Sequence, residues 1–329
     1  MPVYQEVQGI NVLTNVYLEG DSCISMELAG QEKCVNMFVY GESPTVPNTW
    51  KGIVHVIGDV MANNITMEPG TEAYVAVGDI ADIFGDLWAE YGYALSGINT
   101  GNRVPGVKNG QPYFDDKNHV SIQILGNLTA EGTEDQPIII TSAATEPTIY
   151  DWNTFVLESR VNLSYFTLEY HRDFVVLNPK SSNSNREDYK VIINNSVFRH
   201  TGGQAMWIEG GATVYINNTH IYDAQHEGIG GGIPANSIFI NNTIEQIADE
   251  ICLVIRQDYT DSTRPDISGN TLNCYTGIYI GADTISLNNE QLQSLADYYL
   301  PQNNFGEMTR YRFAVFKDTD DQTPVFSIK

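Results

Sequence analysis

Histidine, acidic and basic side chains meet at only a few places in this chain, and those places bound the chemistry it can offer. His171-Arg172-Asp173 is the densest of them. His226-Glu227 runs straight into Gly228-Ile-Gly-Gly-Gly232, where missing Cβ atoms let backbones approach closely. His200 stands between these two. Brought to one wall, the three places would form a His/Arg/Asp/Glu cluster fit for general acid–base work. Left apart, they are solvated turns. Paired carboxylates occur at Asp115-Asp116 and Asp320-Asp321, neither in a strand-like run. Asp249-Glu250, Asp258, Asp261 and Asp266 offer the hard oxygens that Ca²⁺ takes, or simply make a charged loop. No zinc-ligand spacing is present. The sequence thus assigns no catalytic residue and no cofactor, with Ca²⁺ left open.

Aromatic side chains offer a different chemistry. Trp207 in Ala205-Met-Trp-Ile and Tyr279 in Gly277-Ile-Tyr-Ile occupy similar places in two strand-like runs. If Met206 and Ile278 face inward, alternation turns Trp207 and Tyr279 outward, with Gly230 between them in the same column. Trp88 and Tyr91 lie in a run beginning at Asp79, where Ile80, Ile83, Phe84, Leu87, Trp88 and Tyr91 share one face of an amphipathic helix. Ring faces stack on the apolar faces of sugars. Trp207, Tyr279, Trp88 and Tyr91 are therefore the candidate carbohydrate-binding residues. The competing reading for Trp207 and Tyr279 is burial beneath residues 79–119 or beneath the C-terminal helix.

Charge narrows the partners. Asp and Glu number 41 against 17 Lys and Arg, for a net charge of −24. Phosphate backbones and anionic membranes need a basic surface, so nucleic acid is not expected as a partner. No apolar run reaches the roughly 18 residues of a membrane span, so no insertion is expected. No signal peptide is visible after Met1-Pro2, as in a mature secreted chain given a start Met. Of the four cysteines, Cys23 and Cys34 flank a hairpin-like run and could form a disulfide across it. Cys252 follows an acidic corner and Cys274 follows an Asn-containing strand, so they are expected to stay unpaired. Sequons begin at Asn64, Asn127, Asn162, Asn194, Asn217 and Asn241. Three of them come with a repeated motif, which makes coincidence the simpler account.

That motif supplies the framework. Val191-Ile-Ile-Asn-Asn-Ser-Val-Phe198 returns as Val214-Tyr-Ile-Asn-Asn-Thr-His-Ile221, as Ile238-Phe-Ile-Asn-Asn-Thr-Ile-Glu245 and, more weakly, as Asp266-Ile-Ser-Gly-Asn-Thr-Leu-Asn273. The intervals of 23, 24 and 28 residues, with short β-branched runs, mark stacked coils that share one core. Parity places Asn195, Asn218, Asn242 and Asn270 inward at one corner, one strand spacing of about 4.8 Å apart, where their amides can bond in a ladder.

Two further runs, Ile65-Thr-Met-Glu-Pro-Gly-Thr-Glu-Ala-Tyr-Val75 and Leu125-Gly-Asn-Leu-Thr-Ala-Glu-Gly-Thr-Glu-Asp-Gln-Pro-Ile-Ile-Ile-Thr-Ser142, resemble the opening coils of right-handed parallel β-helix proteins of the pectate-lyase-like superfamily. The resemblance implies an all-β, right-handed single-stranded parallel β-helix. It divides the chain into an N-terminal β cap (1–49), the helix (50–290) and a C-terminal helix with a closing strand (291–329). Residues 79–119 form a long loop/helix insertion expected to lie on the wall. That superfamily mixes lyases, hydrolases and binding proteins. The acid and His-Gly strings of its pectin hydrolases and the Asp-His strings of its lyases are missing here. Acidic, Tyr-rich and Asn-rich composition with a long loop on the wall also resembles, in architecture, the cellulose-binding tāpirin adhesins. The expected function is a non-catalytic, extracellular or cell-surface polysaccharide-binding adhesin. A polysaccharide lyase or glycoside hydrolase, and a structural surface-layer or filament module, are the alternatives.

Overall fold

A computed structural model describes residues 16–18, 23–77, 106–108, 111–113, 120–149, 151–158, 160–176, 190–208, 213–233, 236–247, 251–255, 264–281, 287–316 and 324–329. Their strands stack in parallel, coil upon coil, as three sheets. Sheet 1 runs from Thr49–Trp50 through Ile65–Met67, Leu128–Glu131, Val161–Ser164, Lys190–Asn194, Thr213–Asn217 and Ile238–Ile240 to Asp266–Ser268. Sheet 2 holds Glu72–Val75, Ile138–Ser142, Phe166–Glu169, Val197–Thr201, His220–Ala224, Thr243–Ile247, Thr271–Asn273 and Asn304–Phe305. Sheet 3 holds Ile122–Ile124, Phe155–Leu157, Phe174–Val176, Met206–Ile208, Ile229–Gly231, Ile251–Ile255, Thr276–Gly281 and Tyr311–Phe316. Ile53–Ala62 is long enough to serve two sheets, pairing with Glu72–Val75 at its start and Ile122–Ile124 at its end.

Alternation builds the core. Val161, Val191 and Val214 lie in one inward row, and Leu163, Ile193 and Ile216 in the next. Phe155, Phe174 and Phe198 carry an aromatic file along the axis, with centroids 5.8 and 5.2 Å apart. No coil could bury these rings alone.

The corners correct the sequence reading of the asparagines. From Val161 onward, each coil turns between sheets 1 and 2 through one left-handed residue: Tyr165, Asn195, Asn218, Asn241 and Gly269, with φ from 46° to 69°. Asparagine tolerates this conformation better than most side chains. A left-handed residue breaks strict alternation, so parity cannot be carried across it. Asn195 and Asn218 therefore stay at the surface, joined by a 2.6 Å bond. The residue after the corner is the one that turns inward: Ser196, Thr219, Asn242, Asn270 and, beyond them, Asn303. Only the last three form the buried ladder, with Nδ2 of Asn242 and Asn270 donating at 3.0 and 2.9 Å to the next Oδ1. Ile216 pairs with Phe239 and not with Ile240, so the spatial interval is again 23 residues where the motif suggests 24.

The ends differ from the boundaries drawn above. Met37–Glu42 already stacks in parallel on Ile53–Ala62, while Ile24–Leu28 and Gln31–Val35 form the expected antiparallel hairpin closed by Cys23–Cys34. Parallel rungs continue past residue 290 through Asn304–Phe305 and Tyr311–Phe316. The helix Asn289–Tyr299 begins at an Asn288 capping box and buries Leu292, Leu295, Ala296 and Tyr299. Of residues 79–119, the short pair Gly106–Lys108 and Gln111–Tyr113 is antiparallel. The expected helix from Asp79 lies outside the described residues. Cys252 and Cys274 form a disulfide, against expectation, with Cα atoms 5.5 Å apart. Pairing needs Cα proximity, not the same rung. The corner before Ile251 is longer than the one before Thr276, so an inward residue after one corner reaches an inward residue before the other.

Candidate functional site

Sheet 2 turns two residues per strand to its outer face. One row contains Ile139, Thr167, Val197, His220, Thr243 and Thr271. The second row contains Thr141, Glu169, Arg199, Tyr222, Glu245 and Asn273. A third row follows at the second corner, where Tyr170, His200, Asp223 and Gln246 all hold left-handed φ values of 53° to 62°. Tyrosine and glutamine rarely adopt that backbone, and here the repeating corner imposes it. These side chains are sequence neighbours of inward residues such as Leu168, Phe198 and Ile221, so the core fixes their spacing.

The rows are tied together along the axis. Thr141 Oγ1 donates to Glu169 Oε1 at 2.7 Å, and Arg199 Nε donates to Glu169 Oε2 at 2.5 Å. Arg199 Nη1 donates to Tyr222 Oη at 2.9 Å. Burial opposes the Arg199 charge, but the bonds to Tyr222 and Glu169 outweigh it and hold the guanidinium above its ordinary pKa. His200 Nδ1 meets Asp223 Oδ2 at 2.6 Å, and His220 Nε2 meets Glu245 Oε1 at 2.9 Å. Tyr170 stacks on His200 at 4.9 Å, and burial raises its phenol. Tyr222 lies between the two imidazoles, with centroids 5.9 Å from His200 and 4.4 Å from His220.

The sequence pointed to parts of this arrangement only. Of its three His-bearing corners, His200 reaches the strip. His171 turns inward instead, fully buried, with its ring 5.4 Å from Trp152. Both His171 nitrogens lack a hydrogen-bond partner, and burial pushes its pKa down to about 3. Asp173 pairs with Arg172 and accepts from the Gln204 N–H at 2.9 Å, while Gln204 Nε2 reaches Glu227 at 3.1 Å. That file stands at the start of sheet 3 and is separate from the strip. His226 is exposed beside it. The strip's partners Glu169, Arg199, Asp223, His220 and Glu245 escaped sequence reading. They lie in different coils, and only the structural register shows that residues 23 to 30 apart are neighbours. The usable signal was the offset within each repeat.

Trp207 does face out from sheet 3, half-buried, next to Val175 on one side and Gly230 on the other. A Cβ at Gly230 would come within 2.8 Å of its ring, so glycine lets the indole lie flat. Tyr279 also points away from the inner core, as expected, but it is 3 % exposed, packed with Val254, Tyr311 and Ala314. The exposure expected for it is therefore corrected: neighbouring outward side chains on sheet 3 close over it. Trp88 and Tyr91 lie outside the described residues, as do Asp115-Asp116, Asp320-Asp321, Asp249-Glu250, Asp258 and Asp261. Asp266 accepts from Ser268 at 2.8 Å. Among the described residues, no three His, Cys, Asp or Glu side chains gather to hold a metal ion.

Residues 154–297 match the family model described as a right handed beta helix region. No curated protein and no solved structure matches the chain.

Proposed function

From the premise that this chain is a right-handed parallel β-helix protein, we propose that it binds an uncharged, extended polysaccharide on the outer face of sheet 2 without cleaving it. The observation that carries this reading is the strip of Glu169, Arg199, Tyr222, Glu245, His200 and Asp223. It carries both signs, with Glu169, Asp223 and Glu245 on three coils and Arg199 on the one between the first two, so a polymer of uniform charge would meet repulsion on part of its length. A sugar hydroxyl both donates and accepts, which suits such a surface. After the axial bonds are made, the Tyr222 hydroxyl hydrogen, His200 Nε2, His220 Nδ1, Asp223 Oδ1 and Glu245 Oε2 make no further bond among the described residues. They supply donors and acceptors beside aromatic faces. The net charge of −24 would oppose a polyanion. Trp207, around the second corner, offers a further stacking face. Two disulfides support a secreted or cell-surface location.

Retention on insoluble cellulose, xylan and chitin, run beside reducing-sugar and unsaturated-product assays, tests the proposal. The Arg199→Ala/Tyr222→Ala double variant should lose retention while remaining folded in a thermal melt at the assay temperature, although loss of the Arg199–Glu169 pair lowers its unfolding midpoint. Equal retention by the double variant would sink the reading. A second reading, a polysaccharide lyase or hydrolase, is favoured by one observation: the 2.6 Å His200–Asp223 pair could act as a general base. Product release that disappears in His200→Ala would decide for it.

A further inference from the structure

We infer that the hairpin closed by Cys23–Cys34 is a flap that acid releases: protonation of His55 beneath it lifts it from the first coils and uncovers an apolar patch on the outer wall of sheet 2. The second outward row of that sheet does not begin at Thr141. In register it runs back through Tyr74 and His55 to Phe38. All three side chains point away from the inner core, yet all three are buried. The hairpin covers them. Its strands, Ile24–Leu28 and Gln31–Val35, pair with each other and with no rung of the stack among the described residues. Alternation turns Met26, Leu28, Lys33 and Val35 to the wall and leaves Glu27 and Glu32 exposed. Leu28 and Val35 then close with Phe38, Ile57 and Tyr74 in a small apolar cluster separate from the main core. Polar ties add to it. Lys33 Nζ donates to Glu72 at 2.9 Å, and the Ala29 N–H donates to the Ala143 carbonyl at 3.1 Å. The disulfide across the strand ends keeps the hairpin one body when these contacts part.

His55 is the group that this cover cannot keep once it is charged. Its ring lies 6.0 Å from that of Phe38, and neither nitrogen has a hydrogen-bond partner. The titratable side chains that the neighbouring strands and the hairpin turn to this side are Tyr40, Glu72, Tyr74 and Lys33. Glu72 is taken up by Lys33 and by the Tyr74 hydroxyl, which donates to it at 2.6 Å. Burial opposes the Glu72 charge, but those two bonds outweigh it and hold the carboxyl below its ordinary pKa. Burial pushes the Tyr74 phenol up to about 12 and raises that of Tyr40, so both stay neutral. Asp59, further along the strand of His55, accepts from the Ser121 N–H at 2.9 Å. An imidazolium under the hairpin would therefore find no acceptor among the described residues. Burial alone holds His55 down to about 4, against ~6.5 for an imidazole in water. The lifted flap admits a proton that the closed one refuses. Closure is at full strength above pH ~6.5 and weakens about tenfold per unit as pH falls towards 4, about 300-fold in all.

The test is hydrogen exchange read by mass spectrometry on the intact, disulfide-bonded protein between about pH 7 and pH 5, with each rate corrected for the intrinsic effect of pH. A lifted two-stranded hairpin holds its own bonds poorly, so residues 24–35 report lifting. Their protection should be at least about tenfold weaker than that of Phe166–Glu169 at each pH, and should fall about twentyfold across the range. In His55→Leu and His55→Met, each checked for folding by a thermal melt, that fall should shrink to less than about twofold. Protection of residues 24–35 equal to that of Phe166–Glu169, a parent profile that stays level across the range, or an unchanged fall in a folded His55 variant overturns the flap. The first two outcomes are read on the parent protein and need no variant to fold.

Discussion

Replacing Asn270 by leucine should unfold the protein far more readily than altering Asn218, although both asparagines occupy the same repeated motif. Asn270 Oδ1 accepts from the backbone N–H and from Nδ2 of Asn242, at 2.9 and 3.0 Å. Its own Nδ2 donates to the Phe239 carbonyl at 2.9 Å and to Asn303 Oδ1 at 2.9 Å. Leucine would take the side-chain partner from the Asn242 N–H and the Phe239 carbonyl, while Asn242 Nδ2 keeps the Ile216 carbonyl and Asn303 Oδ1 keeps the residue 270 N–H. At ~1–3 kcal/mol for each buried group left without a partner, the two such groups make the loss about 2 kcal/mol or more. Asn270→Asp keeps the acceptor and removes the donor, so it should fall between. Asn218, by contrast, sits at the surface with φ 49° and one bond to Asn195. Asn218→Gly suits that backbone and should stay within ~1 kcal/mol of the parent. Urea unfolding at neutral pH, followed by far-UV circular dichroism, reads both. A midpoint for Asn270→Leu no lower than that of Asn218→Gly would refute the claim that the inward file, and not the motif as such, holds the coils together.

Three further outcomes follow from the same structure. His171 and His55 are buried and held down to about 3 and about 4, against ~6.5 in an unfolded chain. Below pH ~6.5 the unfolded chain takes up protons that the folded chain does not, so stability falls with pH by about 1.4 kcal/mol per unit for each histidine. Urea midpoints between pH 7 and 5 should decline about half as steeply in His171→Phe; identical slopes would show that His171 is not neutral and buried. Cys252→Ser/Cys274→Ser should cost about 3 kcal/mol, as expected for a loop of 22 residues, and a midpoint insensitive to the change would count against the bond. Gly230→Ala should displace the Trp207 indole and shift its fluorescence, whereas an unchanged spectrum would place the ring elsewhere.

The stack itself was legible because inward residues repeat: Val191, Val214 and their neighbours announce a shared core. The register was legible only between corners. The left-handed residue is the second Asn of the motif at Asn195 and Asn218, which keeps both at the surface, but it is Asn241 and Gly269 in the next two coils, so Asn242 and Asn270 follow the corner and turn inward. The second disulfide was missed for a related reason, since corner length sets which inward residues meet. Trp207 and Tyr279 show the remaining limit. Strand parity gives the direction of a side chain, and both do leave the inner core. Whether a neighbour then covers it depends on side chains from other coils, and Tyr279 is covered. The strip on sheet 2 is assembled wholly across coils, so no local string could reveal it.

The three corners are not equivalent, and this bears on how such a chain can change over time. From Val161 onward, sheet 1 hands over to sheet 2 through a single left-handed residue in every coil, a turn that leaves no room for extra length. Passage from sheet 3 back to sheet 1 is different: it takes residues 177–189 in one coil, 209–212 in the next and 256–265 further on. Insertions and deletions at that seam leave the inward rows in register and the sheet 2 face untouched. The molecule thus separates a surface that tolerates rewriting from one that does not. New loops could be spliced into the seam, one coil at a time, as a route to new partners that preserves the existing wall.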